Sequence, residues 1–303
     1  MKPNSGTLHK FSTIRLWARA LRLHQWAKNT LIFVPLILGG GGTALSDIKN
    51  VLLGFFLLSI TASATYVVND LLDLESDRLH PTKRMRPFAS GQLSVRSGII
   101  AVIVLAGIVA LLVRGMPVKF DMVVAAYTAL TLLYSFFLKR EAIIDVLTIA
   151  VLFTLRIGAG MMFLTSPASY WLLLFSFFFF LSLALVKRYS ELHDLAEANG
   201  HKVSGRVYVI TDRPFIMSAG LASAFAGCLV FVIYIANENF PHNIYSNFQW
   251  LWAICGILVY WLVRIWFLAS RGLMNQDPIL FALKDRASLA MGLMTILCVA
   301  LAW

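Results

Sequence analysis

The sequence predicts an all-α integral membrane protein of nine transmembrane helices around a central cavity open to the cytoplasmic side, with the N-terminus inside. Three observations carry that prediction. Of 303 residues, 59% are hydrophobic and only 14% charged, and the apolar residues come in blocks long enough to cross a bilayer as helices. The basic residues are partitioned. All of the 26 Lys and Arg except Lys49, Arg114, Lys119 and Arg156 fall in or border the segments 1–28, 70–97, 139–141, 188–213 and 269–286, which the positive-inside rule assigns to the cytoplasm. The three longest of these segments between spans also hold nearly all the carboxylates and bases able to do chemistry.

In chain order, a basic N-terminal segment, 1–28, precedes spans at 29–45, 48–69, 95–113, 119–138, 142–163, 168–187, 214–236, 247–268 and 287–303. The first apolar block contains Pro35 and Gly39 to Gly42 without a convincing A-x-A exit, so it reads as a retained span rather than a cleaved signal. The outer loops 164–167 and 237–246 contain no Lys or Arg. No fixed-period repeat, low-complexity linker or soluble domain interrupts the pattern, and residues 1–303 read as one domain of a multi-pass plasma (inner) membrane protein. The net charge of +11 is explained by topology, anionic membrane lipids and an anionic substrate, without nucleic acid. Cys228, Cys255 and Cys298, odd in number and at no metal-ligand spacing, read as packing residues. The tryptophans lie mostly near span ends and read as an aromatic belt.

The end of the second span carries the densest chemistry. Asn69, Asp70, Asp73 and Asp77 fall within roughly a 100° arc of a helix, whereas Glu75 points away. Clustered carboxylates repel one another unless they share a cation, and oxygen-only ligands suit Mg²⁺. Mg²⁺ in turn suggests a diphosphate. The following His80, Lys83, Arg84 and Arg86 are able to hold phosphate oxygens that a metal leaves free. The segment therefore supplies both halves of a metal–diphosphate site, with diphosphate as leaving group. Of the histidines only His80 is expected to take part, and no Ser/His/Asp array is present.

Two further inside segments follow even-numbered spans. Lys187, Arg188, Tyr189 and Glu191 come after the sixth; Arg264, Arg271 and Asp277 lie at or after the end of the eighth. Arg156, well inside the fifth span, needs a cavity or partner, because an unpaired guanidinium is costly there. Asp145 precedes it by eleven residues, roughly 16 Å along the axis, too far for a direct pair. Tyr134 and Lys139, closing the fourth span, offer a phenol and an ammonium to the same wall, and Lys28 closes the basic N-terminal segment.

The Asn69-Asp70-x-x-Asp73-x-x-x-Asp77 segment, in a chain of this length and span number, resembles the first aspartate-rich motif of the UbiA superfamily of intramembrane prenyltransferases. The likeness is sharper for one branch, the decaprenyl-phosphate phosphoribosyltransferases, through His80 to Pro87, Tyr134 to Lys139, Asp145 with Arg156, Lys187 to Leu192, and Arg271 to Pro278. It implies Mg²⁺ as cofactor, 5-phosphoribosyl 1-diphosphate as donor, a polyprenyl phosphate as acceptor, and a product used for cell-envelope arabinose. It also makes a homotrimer worth considering. Asp73, Asp77, Asn69 and Asp70 would then hold the metal, Asp73, Asp77, Lys83 and Arg86 would act in catalysis, and Asn69, Asp70, His80, Arg84, Lys28, Tyr134, Lys139, Asp145, Arg156, Lys187, Arg188, Tyr189, Glu191, Arg264 and Arg271 would bind substrates. One departure matters. The second D-x-x-x-D motif of ordinary prenyltransferases is missing: Asp194 is followed four residues later by Ala198, and Lys187, Arg188 and Tyr189 stand in its place. Extra bases suit the extra phosphates of a phosphoribosyl donor and a lipid phosphate. Two other classes use part of the same pattern: an aromatic prenyltransferase acting on a quinone-precursor ring, and a transporter or lipid-binding membrane protein.

Overall fold

The computed structural model describes residues 5–38, 45–80, 82–164, 169–197, 207–237, 245–274 and 277–303, and the regular structure among them is helical. In chain order the α-helices are α1 (Ser5–Ala20), α2 (Val34–Leu38), α3 (Leu45–Leu72), α4 (Leu74–Leu79), α5 (Val95–Leu112), α6 (Val118–Phe136), α7 (Ile144–Met161), α8 (Tyr170–Glu197), α9 (Arg213–Asn237), α10 (Trp250–Ser270), α11 (Pro278–Ala282) and α12 (Arg286–Ala302). Among the described residues seven, α3 and α5 to α10, are long and apolar enough to cross a membrane. Two of the nine predicted spans, the first and the last, do not reach that length among the described residues.

The span predicted at 29–45 is not one α-helix. Leu23–Phe33 winds as a 3₁₀ helix that leads into the five-residue α2, and residues 39–44 lie outside the described residues. Polar anchoring accounts for the tighter winding: the buried Asn29 donates from Nδ2 to Ser59 Oγ (3.0 Å), and Trp26 donates from Nε1 to Ser63 Oγ (2.9 Å). Gly160 allows the close approach of this segment, since a Cβ there would stand 2.0 Å from the Ile32 carbonyl oxygen. The last predicted span is the 17-residue α12, about 25 Å long at 1.5 Å per residue and so shorter than the hydrocarbon core. The sixth errs the other way. α8 continues ten residues past the predicted end at 187, because Val186, Tyr189 and Leu192 extend its buried stripe into what reads as a charged loop.

The chain divides into two compact units. One comprises Met1–Leu36, Gly42–Ser135 and Gly158–Leu164. Here α3 packs against α1, the 3₁₀ segment and α5, and Ala20, Val67 and Phe88 form a buried cluster edged by Trp17, Leu71 and Leu93. The other comprises Ile37–Gly41, Phe136–Ile157 and Thr165–Trp303. Here α8 and α9 pack along their lengths and α10 lies against α8, α9 and α12. Trp266, assigned by sequence to an interfacial belt, is instead fully buried and donates from Nε1 to Ser182 Oγ (3.0 Å). It passes so close to α9 that a Cβ on Gly220 would meet Trp266 Cζ2 at 1.9 Å. Cys228 and Cys298 are buried in this unit, as expected of packing residues.

Candidate active site

The acidic segment belongs to the first unit. Asp73 stands between α3 and α4 with φ −88° and ψ 7°, yet the helical ladder runs through it: Asp73 N donates to Asn69 O (2.9 Å) and Asp77 N to Asp73 O (2.8 Å). The predicted arc is thereby kept, and Glu75 is exposed on the other side. Within the arc the four residues sort into pairs. Asn69 Nδ2 donates to Asp73 Oδ2 (3.2 Å). Asp70 and Asp77, both buried, are bridged by Arg86, whose Nη1 lies 3.2 Å from Asp70 Oδ1 and 2.6 Å from Asp77 Oδ2. Asp70 Oδ1 also takes a 2.5 Å contact from Arg22 Nη2.

Arg22 is a partner of the acidic arc that sequence reading missed. It caps the 3₁₀ helix in the left-handed region (φ 50°, ψ 47°), a conformation that costs a non-glycine residue about 1–2 kcal/mol. Its guanidinium also lies over the Tyr66 ring, 4.9 Å from the centroid. The basic turn after α4 is fixed locally: His80 Nδ1 accepts from the backbone N–H groups of Thr82 and Lys83 (3.3 Å each), which leaves the proton of a neutral ring on Nε2. Lys83 and Arg84 are exposed, while Arg86 is partly covered.

Among the described residues no group of three or more His, Cys, Asp and Glu is arranged to hold a metal, so the expected tri-aspartate convergence is not preformed. The cause is the arginines, which draw Asp70 and Asp77 onto themselves. The donor set still fits Mg²⁺, which binds through one or two carboxylates and completes its octahedron with water and phosphate oxygens. Oxygen ligands alone line this arc, and the bridging Arg86 marks it as a place where a cation is demanded.

The second unit holds another ion network. Asp145 and Arg188, both nearly inaccessible, pair through Arg188 Nε and Asp145 Oδ2 at 2.8 Å, and Arg188 also pairs with Glu191. Tyr208, also unforeseen, donates to Asp145 Oδ1 (2.6 Å) and accepts from Ile143 N–H (2.7 Å), at a residue with φ 68°. Burial and then the bond to Asp145 push the Tyr208 phenol well above its ordinary range. Arg156 Nη1 donates to Leu152 O (2.6 Å), and its guanidinium lies 5.0 Å over the Phe153 ring. Lys187 Nζ lies 3.5 Å from Asp277 Oδ2. Arg264 forks onto Asp285 at 2.7 and 3.0 Å, which holds that carboxyl below its usual range. Arg271 stacks over Phe267, 4.1 Å from the centroid. Tyr134 and Lys139 are half-buried in α6 and in the turn after it.

Helices long and apolar enough to cross a membrane, with carboxylates and arginines gathered at a helix end, define a polytopic membrane protein with an ionic cluster. The chain belongs to the UbiA prenyltransferase family, which matches residues 30–284. It is 42% identical over 286 residues to the uncharacterized protein y4nM of Sinorhizobium fredii, covering 93% of this chain and 55% of that one; the chain thus spans about half the length of that relative. It is 31% identical over 277 residues to the nodulation protein NoeC of Azorhizobium caulinodans, covering 90% and 88%. Decaprenyl-phosphate phosphoribosyltransferase of Mycobacterium tuberculosis is 37% identical over 187 residues, 60% of this chain and 61% of that enzyme. The fold matches a UbiA homologue of Archaeoglobus fulgidus solved with GPP and Mg²⁺, at a TM-score of 0.69 and 17% identity over 95% of this chain and 98% of that one.

Proposed function

We propose that this protein transfers the 5-phosphoribosyl group of 5-phosphoribosyl 1-diphosphate to a polyprenyl phosphate, with release of diphosphate, at the cytoplasmic face of the plasma membrane. The product would serve as a precursor of cell-envelope arabinose. The observation that carries the reading is the 37% identity with an enzyme named for that reaction. The arginines that contact the acidic arc, Arg22 and Arg86, suit a substrate richer in phosphate than a prenyl diphosphate.

Asp73 and Asp77, assisted by Asn69 and Asp70, would hold Mg²⁺, which when bound supplies a positive charge that stabilises departing diphosphate. Lys83 and Arg86 donate to the diphosphate oxygens as the C1–O bond breaks, where charge develops. To do so Arg86 exchanges its carboxylate partners for phosphate. The acceptor phosphate is already an anion at neutral pH and attacks the ribosyl carbon from the opposite face, so this chain needs no strong general base.

The GPP-bound relative in fold favours a second reading, prenyl transfer to an aromatic ring. The two separate in one experiment: purified protein in detergent with Mg²⁺ is offered labelled 5-phosphoribosyl 1-diphosphate with several polyprenyl phosphates, and a labelled prenyl diphosphate with aromatic acceptors. Label from the phosphoribosyl donor in the lipid extract is the expected result. Label from the prenyl donor on the ring, and none from the other, would replace the first reading with the second.

A further inference from the structure

Arg188 is the α8 base that sequence reading would give to a phosphate, but the structure engages it with Asp145 and Glu191. A different arginine reaches the neighbouring residue. Arg213, the first residue of α9, donates from Nη2 to the Tyr189 hydroxyl (3.2 Å), and its guanidinium lies over the Tyr189 ring, 5.1 Å from the centroid. The phenol is itself fixed: Tyr189 is buried and meets Trp266 edge to face at 5.9 Å. Among the described residues no carboxylate lies within ion-pair distance of Arg213. A guanidinium carries five N–H donors; stacking uses its face and the phenol takes one donor, so most of the fork has no acceptor among the described residues.

Tyr189 and His193 are four apart and share one face of α8. Gly272, with φ 70°, comes so near that a Cβ would stand 2.6 Å from His193 Cε1. Its neighbour Arg271 is likewise stacked on a ring, that of Phe267. Both guanidiniums, Arg213 and Arg271, are held by aromatic rings. Such a half-buried, planar and preoriented fork matches the oxygens of a phosphate group.

We propose that Arg213, positioned by Tyr189, binds a phosphate monoester. On the functional reading above both substrates present such a monoester, the donor as its 5-phosphate and the lipid acceptor as its headgroup. The test uses the full chain in detergent with ribose 5-phosphate as probe and inorganic phosphate as competitor, in the parent, Arg213→Gln and Arg213→Lys. Loss of a charge-assisted contact should weaken ribose 5-phosphate by about ten- to a hundredfold in the Gln variant. The Lys variant, which keeps the charge and loses the fork, should fall between. Donor KM should rise by a like factor with kcat within about threefold, because a remote contact acts on binding rather than on the chemical step. If KM rises instead for the polyprenyl phosphate alone, the monoester is the lipid's and the site stands. Equal affinities for both phosphates in all three proteins, or a fall in kcat at unchanged KM, overturn it. Arg213-dependent binding of ribose 5-phosphate by a chain that does not turn over the phosphoribosyl donor would uphold the site and reject the proposed reaction.

Discussion

Asp70 and Asp77 are seven residues apart, nearly two helical turns, and so lie on almost the same bearing; a single guanidinium spans them. Asp73 stands on that arc beside Asn69 instead, and Glu75 is on the far side. These placements make different demands on the same substitution. Asp73→Asn and Asp77→Asn should each lower divalent-cation-dependent turnover by at least about a hundredfold, whereas Glu75→Gln should stay within about twofold, given its solvent exposure. Asp77→Asn should also destabilise the chain by about 1–3 kcal/mol, since it weakens a charged contact to Arg86 in a largely covered site; Glu75→Gln provides the thermal-melt reference. Near-normal turnover of either Asn variant at saturating Mg²⁺ would remove the metal-holding role. The arc was legible in the sequence because it depends only on helical spacing. Arg22, Tyr208 and Arg213 were not, because their partners lie 48, 63 and 24 residues away and no local pattern links them.

At the scale of elements, the extension of α8 was written in the sequence as buried positions at 186, 189 and 192, and was masked by the charges between them. The 3₁₀ form of the first apolar block was less legible, since the bonds that impose it come from α3. Packing between α9 and α10 yields a sharp test: Gly220→Ala must displace the Trp266 ring or part the helices, and overpacking of this kind costs about 1–3 kcal/mol. A melt unchanged from the parent would show that Trp266 moves freely. The start of α12 depends on Asp285, which accepts from Ser288 N–H (2.8 Å) as well as from Arg264. Asp285→Ala should lose both cap and ion pair, about 1–3 kcal/mol. Because Arg264 holds the folded carboxyl below the ordinary aspartate range, its contribution is complete above that range and is lost as pH falls through the lowered value. The deficit of the Ala variant should therefore be constant from neutral pH to about pH 5 and shrink only in stronger acid.

For the whole molecule, the partition of basic residues predicts an orientation that a labelling experiment can test. In a parent freed of Cys228, Cys255 and Cys298, Gly115→Cys should react with an impermeant thiol reagent on intact cells, because that residue lies at an exposed turn with open space for a side chain. Ser90→Cys, exposed beside the basic turn, should react only after permeabilisation. The reverse pattern would put the acidic arc on the side away from a soluble cytoplasmic donor. Composition was enough to show that the chain lives in a membrane; among the described residues seven of the nine predicted spans are helices of spanning length, and the first and last apolar blocks are not.

The arginine clasp on Asp70 and Asp77 has a thermodynamic consequence. An empty chain whose carboxylates are already neutralised gains little from a bare divalent ion, which would have to evict a guanidinium and strand it. A complex of the ion with an anion removes that penalty, for the carboxylates receive the metal and the displaced arginines receive the anion in a single exchange of counter-charges. Metal and diphosphate should therefore bind with positive linkage, each tightening the other. Titration calorimetry should find Mg²⁺ alone weak and the preformed complex tight. Replacing Arg22 by Gln should strengthen the first and weaken the second, so that the gap between them narrows.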